Sequence, residues 1–135
     1  MTATITPLRS SGPLTLLVID DDAVTRCVLC DALRGAGYKV IEVNSGADAL
    51  TVLRKLPVHL LVLNPFLGGS VDSRVVARQA AALRPPPKVI LASPKGGPLE
   101  VADFPRGDLV VAEPYAVPRI LQIVQEVFGG PETRP

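Results

Sequence analysis

The sequence lacks several features on which whole classes of protein depend. It has only two cysteines and no visible signal peptide, so no disulfide framework is expected and a reducing compartment is predicted. Its longest apolar runs, such as Leu14–Ile19 and Leu60–Leu63, have the length of a strand and are too short to span a bilayer. Lysine and arginine (14) balance aspartate and glutamate (13) without any basic run, which argues against nucleic-acid and anionic-membrane partners.

The composition and length of the sequence predict one globular domain. Apolar residues make up 47% of the 135 residues and charged residues 20%, a balance typical of a folded domain with its own core. The expected organisation is a flexible tail over 1–13, a domain over 14–129 and a flexible tail over 130–135. The short C-terminal tail predicts a stand-alone domain without an attached effector.

Apolar strands alternate with helices along the chain. Continuous or alternating apolar runs predict strands, and turn residues and helix-capping residues separate them from amphipathic segments. Asp22, Ser45 and Asp72 are the expected N-caps, and the stretch Pro94–Asp108 allows only a short helix near Leu99–Phe104. The predicted strands are Leu14–Ile19, Tyr38–Val43, His59–Leu63, Lys88–Ser93 and Leu109–Ala112, and the predicted longer helices are Ala23–Ala36, 46 to about 56, 73 to about 83 and Val117–Phe128. This order predicts an α/β fold, a doubly wound parallel sheet of five strands.

Sites in such sheets form beyond the carboxyl ends of the strands. The residues at those positions are Asp20 and Asp21, Asn44, Asn64, Ser93 and Glu113. An acidic triplet follows the first strand where a nucleotide-binding protein would have a glycine-rich loop, which argues against a nucleotide.

Six segments together resemble response-regulator receiver domains of the CheY-like type. The resemblance runs from Leu14 to Phe128, and its landmarks fall in the family's order at familiar separations. They are VIDDDAVTR (18–26), GAGYKV (35–40), GADAL (46–50), LLVLN (60–64), VILAS (89–93) and LVVAEPY (109–115). The resemblance implies a flavodoxin-like strand order 2-1-3-4-5, with a fourth helix that is shorter or less regular here.

The resemblance also shows where this sequence departs from the family. In receivers an acidic pair and a phospho-accepting aspartate hold Mg²⁺, while a lysine and a Ser or Thr steady the phosphoryl group. The chain keeps Asp20, Asp21 and Ser93, but it has Asn64 at the acceptor position and Glu113 at the lysine position. An amide is not a nucleophile and Glu113 would repel phosphoryl oxygens, so a degenerate, phosphorylation-independent pseudo-receiver is predicted.

The predicted function is signal transduction in a two-component system through protein–protein contact, without catalysis or a required cofactor. The resemblance implies a histidine kinase, another regulator or a scaffold as partner, or a second copy in a homodimer. The two cysteines and the lack of a visible signal peptide predict a cytoplasmic location. The alternative is a ligand- or metal-sensing domain, in which Asp20, Asp21, Asn64 and Glu113 bind Mg²⁺ or Ca²⁺ weakly.

The last strand and helix are the predicted interaction surface. Val110 stands where receivers have their switch aromatic, and Tyr115 follows the strand. On the helical wheel, Ile123 and Val127 extend the apolar arc beyond the stripe that covers the sheet. The competing interpretation is that this flank packs against the first helix or against Leu99–Phe104.

The first helix carries Cys27 and Cys30 in a C-x-x-C pattern. The expected core-facing stripe is Thr25, Val28, Leu29, Ala32 and Leu33, which would put both cysteines on the other side. A redox pair, half of an intermolecular metal site, or small side chains packed beside the last helix are the three interpretations. His59, the single histidine, has no ligand partner at suitable spacing and is interpreted as a strand-edge residue.

Overall fold

Strands and helices alternate through the described part of the chain. The structure is a computed structural model that describes residues 14–92, 104, 109–112 and 117–128, with the backbone alone for 109–112 and 128. The elements in chain order are β1 (Thr15–Ile19), α1 (Ala23–Gly35), β2 (Lys39–Val43), α2 (Gly46–Lys55), β3 (Leu60–Leu63), α3 (Ser73–Ala81), β4 (Lys88–Ala92), β5 (Leu109–Ala112) and α4 (Val117–Phe128). The predicted tails, and the predicted short helix apart from Phe104, lie outside the described residues.

The sheet is parallel and has the flavodoxin-like arrangement. The strands lie in the order β2-β1-β3-β4, as predicted, and the backbone of β5 pairs with β4 at the edge. The chain therefore changes direction across the sheet after β2, and the carboxyl ends of β1 and β3 become neighbours. This is the place where open α/β sheets form sites.

Three helices begin at the predicted N-caps. In each, the side-chain oxygen of the cap accepts a hydrogen bond from the backbone N–H three residues further along the chain, at distances of 3.1–3.2 Å. The caps are Asp22, Ser45 and Asp72. Each bond satisfies an N–H group that the helix itself cannot pair. The helix α3 ends at Ala81, two residues before the predicted end at Leu83.

Two apolar cores cover the two faces of the sheet. Successive residues of β1 alternate between them, because strand side chains point to opposite faces. The core shared with α1 and α4 contains Leu16, Val18, Leu29, Cys30, Leu33, Leu60, Val62, Ile90, Ile120, Ile123 and Val124, among others. The core shared with α2 and α3 contains Leu17, Ile19, Ala49, Leu53, Leu61, Leu63, Leu67, Val76, Ala77, Ala80, Leu91 and Phe104.

The predicted buried stripe of α1 is confirmed at Leu29 and Leu33, half-buried at Thr25 and Ala32, and wrong at Val28. Leu29, Cys30 and Leu33 are buried, whereas Val28 is 53% exposed and Val24 is 72% exposed. The actual core face therefore includes a cysteine that the helical wheel assigned to the opposite side. The burial of Cys30 agrees with the interpretation in which small side chains pack beside the last helix. Cys27 is exposed and does not take part in this packing.

The prediction that Ile123 belongs to an exposed surface is also wrong. Its side chain is only 3% exposed and lies in the core between α4 and the sheet. Val127 is half-buried and packs against the same core. The reason is that α4 lies beside α1, so its flank needs apolar residues on two sides, toward the sheet and toward the neighbouring helix.

Candidate functional site at the carboxyl edge of the sheet

Asp20 and Asn64 meet where β1 and β3 end. The two strands pair directly, and each of these residues is the first after its strand. Asn64 Nδ2 donates a hydrogen bond of 3.3 Å to Asp20 Oδ1. The structure therefore brings together two of the residues that sequence position had placed at this edge.

Asp20 is held in place from several sides. Its carboxylate Oδ1 accepts a 2.9 Å hydrogen bond from the backbone N–H of Asp22, and its backbone carbonyl accepts one of 2.7 Å from Arg26 Nη1. The side chain is buried, and burial raises the pKa of the Asp20 carboxyl above its ordinary value, against the opposing effect of its hydrogen bonds. The neighbouring Asp21 is exposed, so the acidic pair divides into one buried and one solvated carboxylate.

The loop after β3 is tied to the first turn of α3. The Ser73 hydroxyl donates to the backbone carbonyl of Asn64 at 2.7 Å and accepts from the N–H of Leu67 at 3.0 Å. Asn64 Oδ1 in turn accepts a 2.8 Å hydrogen bond from the N–H of Phe66. Ser73 was not predicted as a site residue, because only its adjacency to the cap Asp72 distinguishes it in the sequence.

Four of the predicted site residues have no described side chain. Ser93, Glu113 and Tyr115 lie outside the described residues, and Val110 is described by its backbone only. Within the described ranges, no group of three or more His, Cys, Asp or Glu side chains is arranged to hold a metal ion. The proposed carboxylate cluster of Asp20, Asp21 and Glu113 therefore stays a prediction.

A cavity of about 230 Å³ opens beside Asp21. It lies between the loops that follow β2 and β3, and its lining includes Asn44 and the cap Ser45. The loop Gly68–Val71 forms the opposite wall, where Gly69 has a φ of +88°, a value that favours glycine. Asn44 had been singled out by its place after a strand, whereas the contribution of the β3–α3 loop had no such signal.

The two cysteines differ in environment and do not form a disulfide. Cys27 is exposed, and Cys30 is buried in the core of α1 and α4. Burial raises the pKa of the Cys30 thiol to about 12, which keeps it protonated and unreactive at neutral pH. A redox pair in which both thiols react is inconsistent with this geometry.

A carboxylate on β2 connects α1 to the edge of the sheet. Glu42 Oε1 accepts from Arg26 Nε at 3.2 Å, and Glu42 Oε2 accepts from Arg34 Nη1 at 2.9 Å. Arg34 also donates to the carbonyl of Val40. The hydrogen bond from Arg34 is the main reason that the pKa of Glu42 lies below its ordinary value. Arg26 thus links the site at Asp20 to this ion-pair network.

The arrangement offers hydrogen-bonding groups but no nucleophile at position 64. The amide of Asn64 cannot attack phosphorus, and its nitrogen has no lone pair available for a metal.

No helix in the described ranges is both long and apolar enough to cross a membrane.

Solved structures of receiver domains resemble this chain along most of its length. A response regulator receiver protein from Sinorhizobium medicae has a TM-score of 0.74 and 25% sequence identity, with 91% of this chain and 98% of that chain covered. A CheY-like receiver domain protein from Methanospirillum hungatei has the same TM-score at 19% identity, which shows the fold alone. No protein-family model matches the chain.

Curated relatives are similar over shorter stretches. A protein-glutamate methylesterase/protein-glutamine glutaminase of Myxococcus xanthus is 34% identical over 93 residues, which cover 67% of this chain and 26% of that protein. The DNA-binding response regulator MtrA of Mycobacterium tuberculosis is 39% identical over 54 residues, which cover 40% of this chain and 24% of that protein. The chain therefore spans roughly a quarter of the length of these relatives.

Proposed function

We propose that this chain, a response-regulator receiver domain of two-component signalling, acts by contact with partner proteins and without phosphorylation at position 64. The receiver assignment is supported jointly by the structural neighbours and the sequence relatives. The phosphorylation-independent character is our inference from the site. A single observation carries it: the residue at the end of β3 is an amide that donates a hydrogen bond to Asp20.

The remaining site residues support the same conclusion. Phosphoryl transfer needs a nucleophilic oxygen and positive charge around the phosphoryl oxygens. Asn64 supplies no nucleophile, and Glu113, at the position of the family lysine in the sequence, would add negative charge. Two changes that oppose the same reaction favour a domain that signals through its surface.

The proposed partners are those of receiver domains: a histidine kinase, another regulator, a scaffold or a second copy. We place the domain in the cytoplasm, where an exposed unpaired thiol such as Cys27 remains reduced. Val110 and Tyr115 remain the proposed partner-facing residues by their sequence positions. Ile123 does not belong to this surface because it is buried, and Val127 is only partly accessible.

Acetyl phosphate provides the test. Intact-mass spectrometry after incubation with acetyl phosphate and Mg²⁺ should show no acid-labile adduct on the wild-type chain. The double variant Asn64→Asp with Glu113→Lys should form more adduct than the two single variants together, because the two positions act as a unit. An acid-labile phosphoryl adduct at any residue of this pocket in the wild-type chain would contradict the proposal.

Partner binding gives a second measurement. A partner that the wild-type chain binds should be retained equally with and without acetyl phosphate. Binding that appears only after phosphoryl-donor treatment would show that the domain signals by phosphorylation.

A further inference from the structure

The amide of Asn64 is hydrogen-bonded at both of its ends. Its nitrogen donates to Asp20 Oδ1 at 3.3 Å, and its oxygen accepts from the backbone N–H of Phe66 at 2.8 Å. The backbone of the same residue is fixed by Ser73, whose hydroxyl donates to the Asn64 carbonyl. Asn64 is therefore held by three contacts, which come from Asp20 just after β1, from its own loop and from α3.

These contacts determine which way the amide points. Exchanging its oxygen and nitrogen would place Nδ2 against the N–H of Phe66, where two donors would meet. It would also place Oδ1 against the carboxylate of Asp20, where two acceptors would meet. Both contacts would change from attractive to repulsive, so the amide presents its N–H group to Asp20.

Such an amide does not fit the divalent cation that the receiver family implies. Mg²⁺ and Ca²⁺ bind oxygen ligands. At Asn64 the only side-chain oxygen is engaged with Phe66, and the atom that faces Asp20 is a nitrogen that cannot ligate. Asp20 Oδ1 already accepts two hydrogen bonds, from Asn64 and from the N–H of Asp22.

We propose that the Asn64 amide replaces a divalent cation at Asp20, so that this edge of the sheet is complete without metal and does not bind Mg²⁺. The N–H group supplies the positive end of a dipole to a buried carboxylate, which is the role that a cation would otherwise have. The inference rests on the proposed function insofar as both assign position 64 to a residue that is never phosphorylated. It concerns metal binding, however, and its test contains no phosphoryl donor.

Thermal denaturation with and without Mg²⁺ tests the proposal. The wild-type Tm in MgCl₂ should match that in KCl of the same ionic strength to within about 1 °C, because a ligand raises Tm only by binding the native state. Asn64→Asp has nearly the same shape but adds a third carboxylate beside Asp20 and Asp21, so its Tm without metal should fall. Mg²⁺ at ten times the dissociation constant should then raise the Tm of this variant by about 5 °C.

Gln79→Glu is the matched control. It makes the same change of charge at an exposed position on α3, away from the site, and should show no magnesium dependence beyond that of the wild type. A specific rise in the Tm of the wild type with Mg²⁺ would overturn the proposal. So would an Asn64→Asp variant that folds but gains nothing from Mg²⁺, because the amide would then not be what stands in place of the cation.

A measurement on the wild type alone covers the case in which Asn64→Asp does not fold. In a Mn²⁺ titration followed by NMR, the backbone amide signals of Asp22 and Phe66 should stay as sharp as those of α3. Selective broadening of these two signals would show a cation at Asp20 and overturn the proposal. A phosphoryl adduct formed from acetyl phosphate, in contrast, would contradict the proposed function. It would not change the result of these metal-binding measurements.

Discussion

Gly46 is the first residue of α2, and its Cα lies against the loop that follows β3. A Cβ atom added here would lie 2.1 Å from the carbonyl oxygen of Val71 and 3.0 Å from its carbonyl carbon. These are backbone atoms, which cannot move aside as the end of a flexible side chain can. The close approach joins the β2–α2 loop to the β3–α3 loop, which are also the two walls of the cavity beside Asp21.

The substitution Gly46→Ala should therefore destabilise the domain by about 1–3 kcal/mol, although alanine is the better helix former. Urea denaturation followed by circular dichroism measures this difference. Gly68→Ala is the matched control, because a Cβ there has nothing within 4 Å, and it should change the free energy of unfolding by less than about 0.5 kcal/mol. Equal stabilities for the two variants would show that the loops can separate freely.

Residues whose role depends on their own neighbours in sequence could be predicted, and the others could not. Asp22, Ser45 and Asp72 were predicted as N-caps because the cap bond spans only three residues. The orientation of the Asn64 amide depends on Asp20, which is 44 positions away in sequence. Ser73 was missed for the same reason, since its role depends on where the loop after β3 returns.

At the scale of elements, the buried face of α1 differs from the helical-wheel prediction along one edge, at Val28 and Cys30. The face that meets the sheet contains Leu29 and Leu33, as predicted, and it includes Cys30 in place of Val28. Arg26 and Arg34 bind Glu42 on β2, which holds the helix in this orientation at two points along its length. The result leaves Val24 and Val28 in solvent, which no count of apolar residues in α1 alone would reveal.

Burial of Ile123 gives a prediction for α4. Ile123→Glu places a charge in the apolar core shared by α1 and α4 and should cost at least about 3 kcal/mol. The change is measured by urea denaturation. The control is Ile123→Val, which removes one methylene at the same site and should cost about 0.5–1.5 kcal/mol. A stable Ile123→Glu variant with altered self-association would restore the original surface assignment.

At the scale of the whole molecule, the sheet organises two cores and one site. Alternation of apolar strands with helices was enough to predict a parallel sheet, because helices on both sides of such a sheet bury runs such as 60–63 on both faces. The strand order came from the resemblance, and it is what makes β1 and β3 neighbours and brings Asp20 to Asn64. The packing of α1 beside α4 was one of the alternatives that the sequence left open, and the structure confirms it, because these two helices share one face of the sheet.

The ion pairs of Glu42 make the stability of the whole domain depend on pH. Arg34, and to a smaller extent Arg26, lower the pKa of Glu42 in the folded state relative to its ordinary value of 4.5. The folded state therefore binds this proton less readily than the unfolded state does. The resulting stabilisation is fully present above pH 4.5 and is lost as the pH falls through the lower pKa of the folded state.

Removing the carboxylate should remove this pH dependence. Near neutral pH, Glu42→Gln should lower the free energy of unfolding by about 0.5–1 kcal/mol, the range of partly exposed ion pairs. The difference from the wild type should shrink as the pH falls below 4.5, because the wild-type carboxylate is then protonated as well. Urea denaturation at a series of pH values measures both. Glu126→Gln, at an exposed position on α4, is the control and should follow the wild type at each pH. A difference that stays constant from neutral to acid pH would mean that Glu42 stabilises the domain by packing or shape, and that its charge contributes nothing.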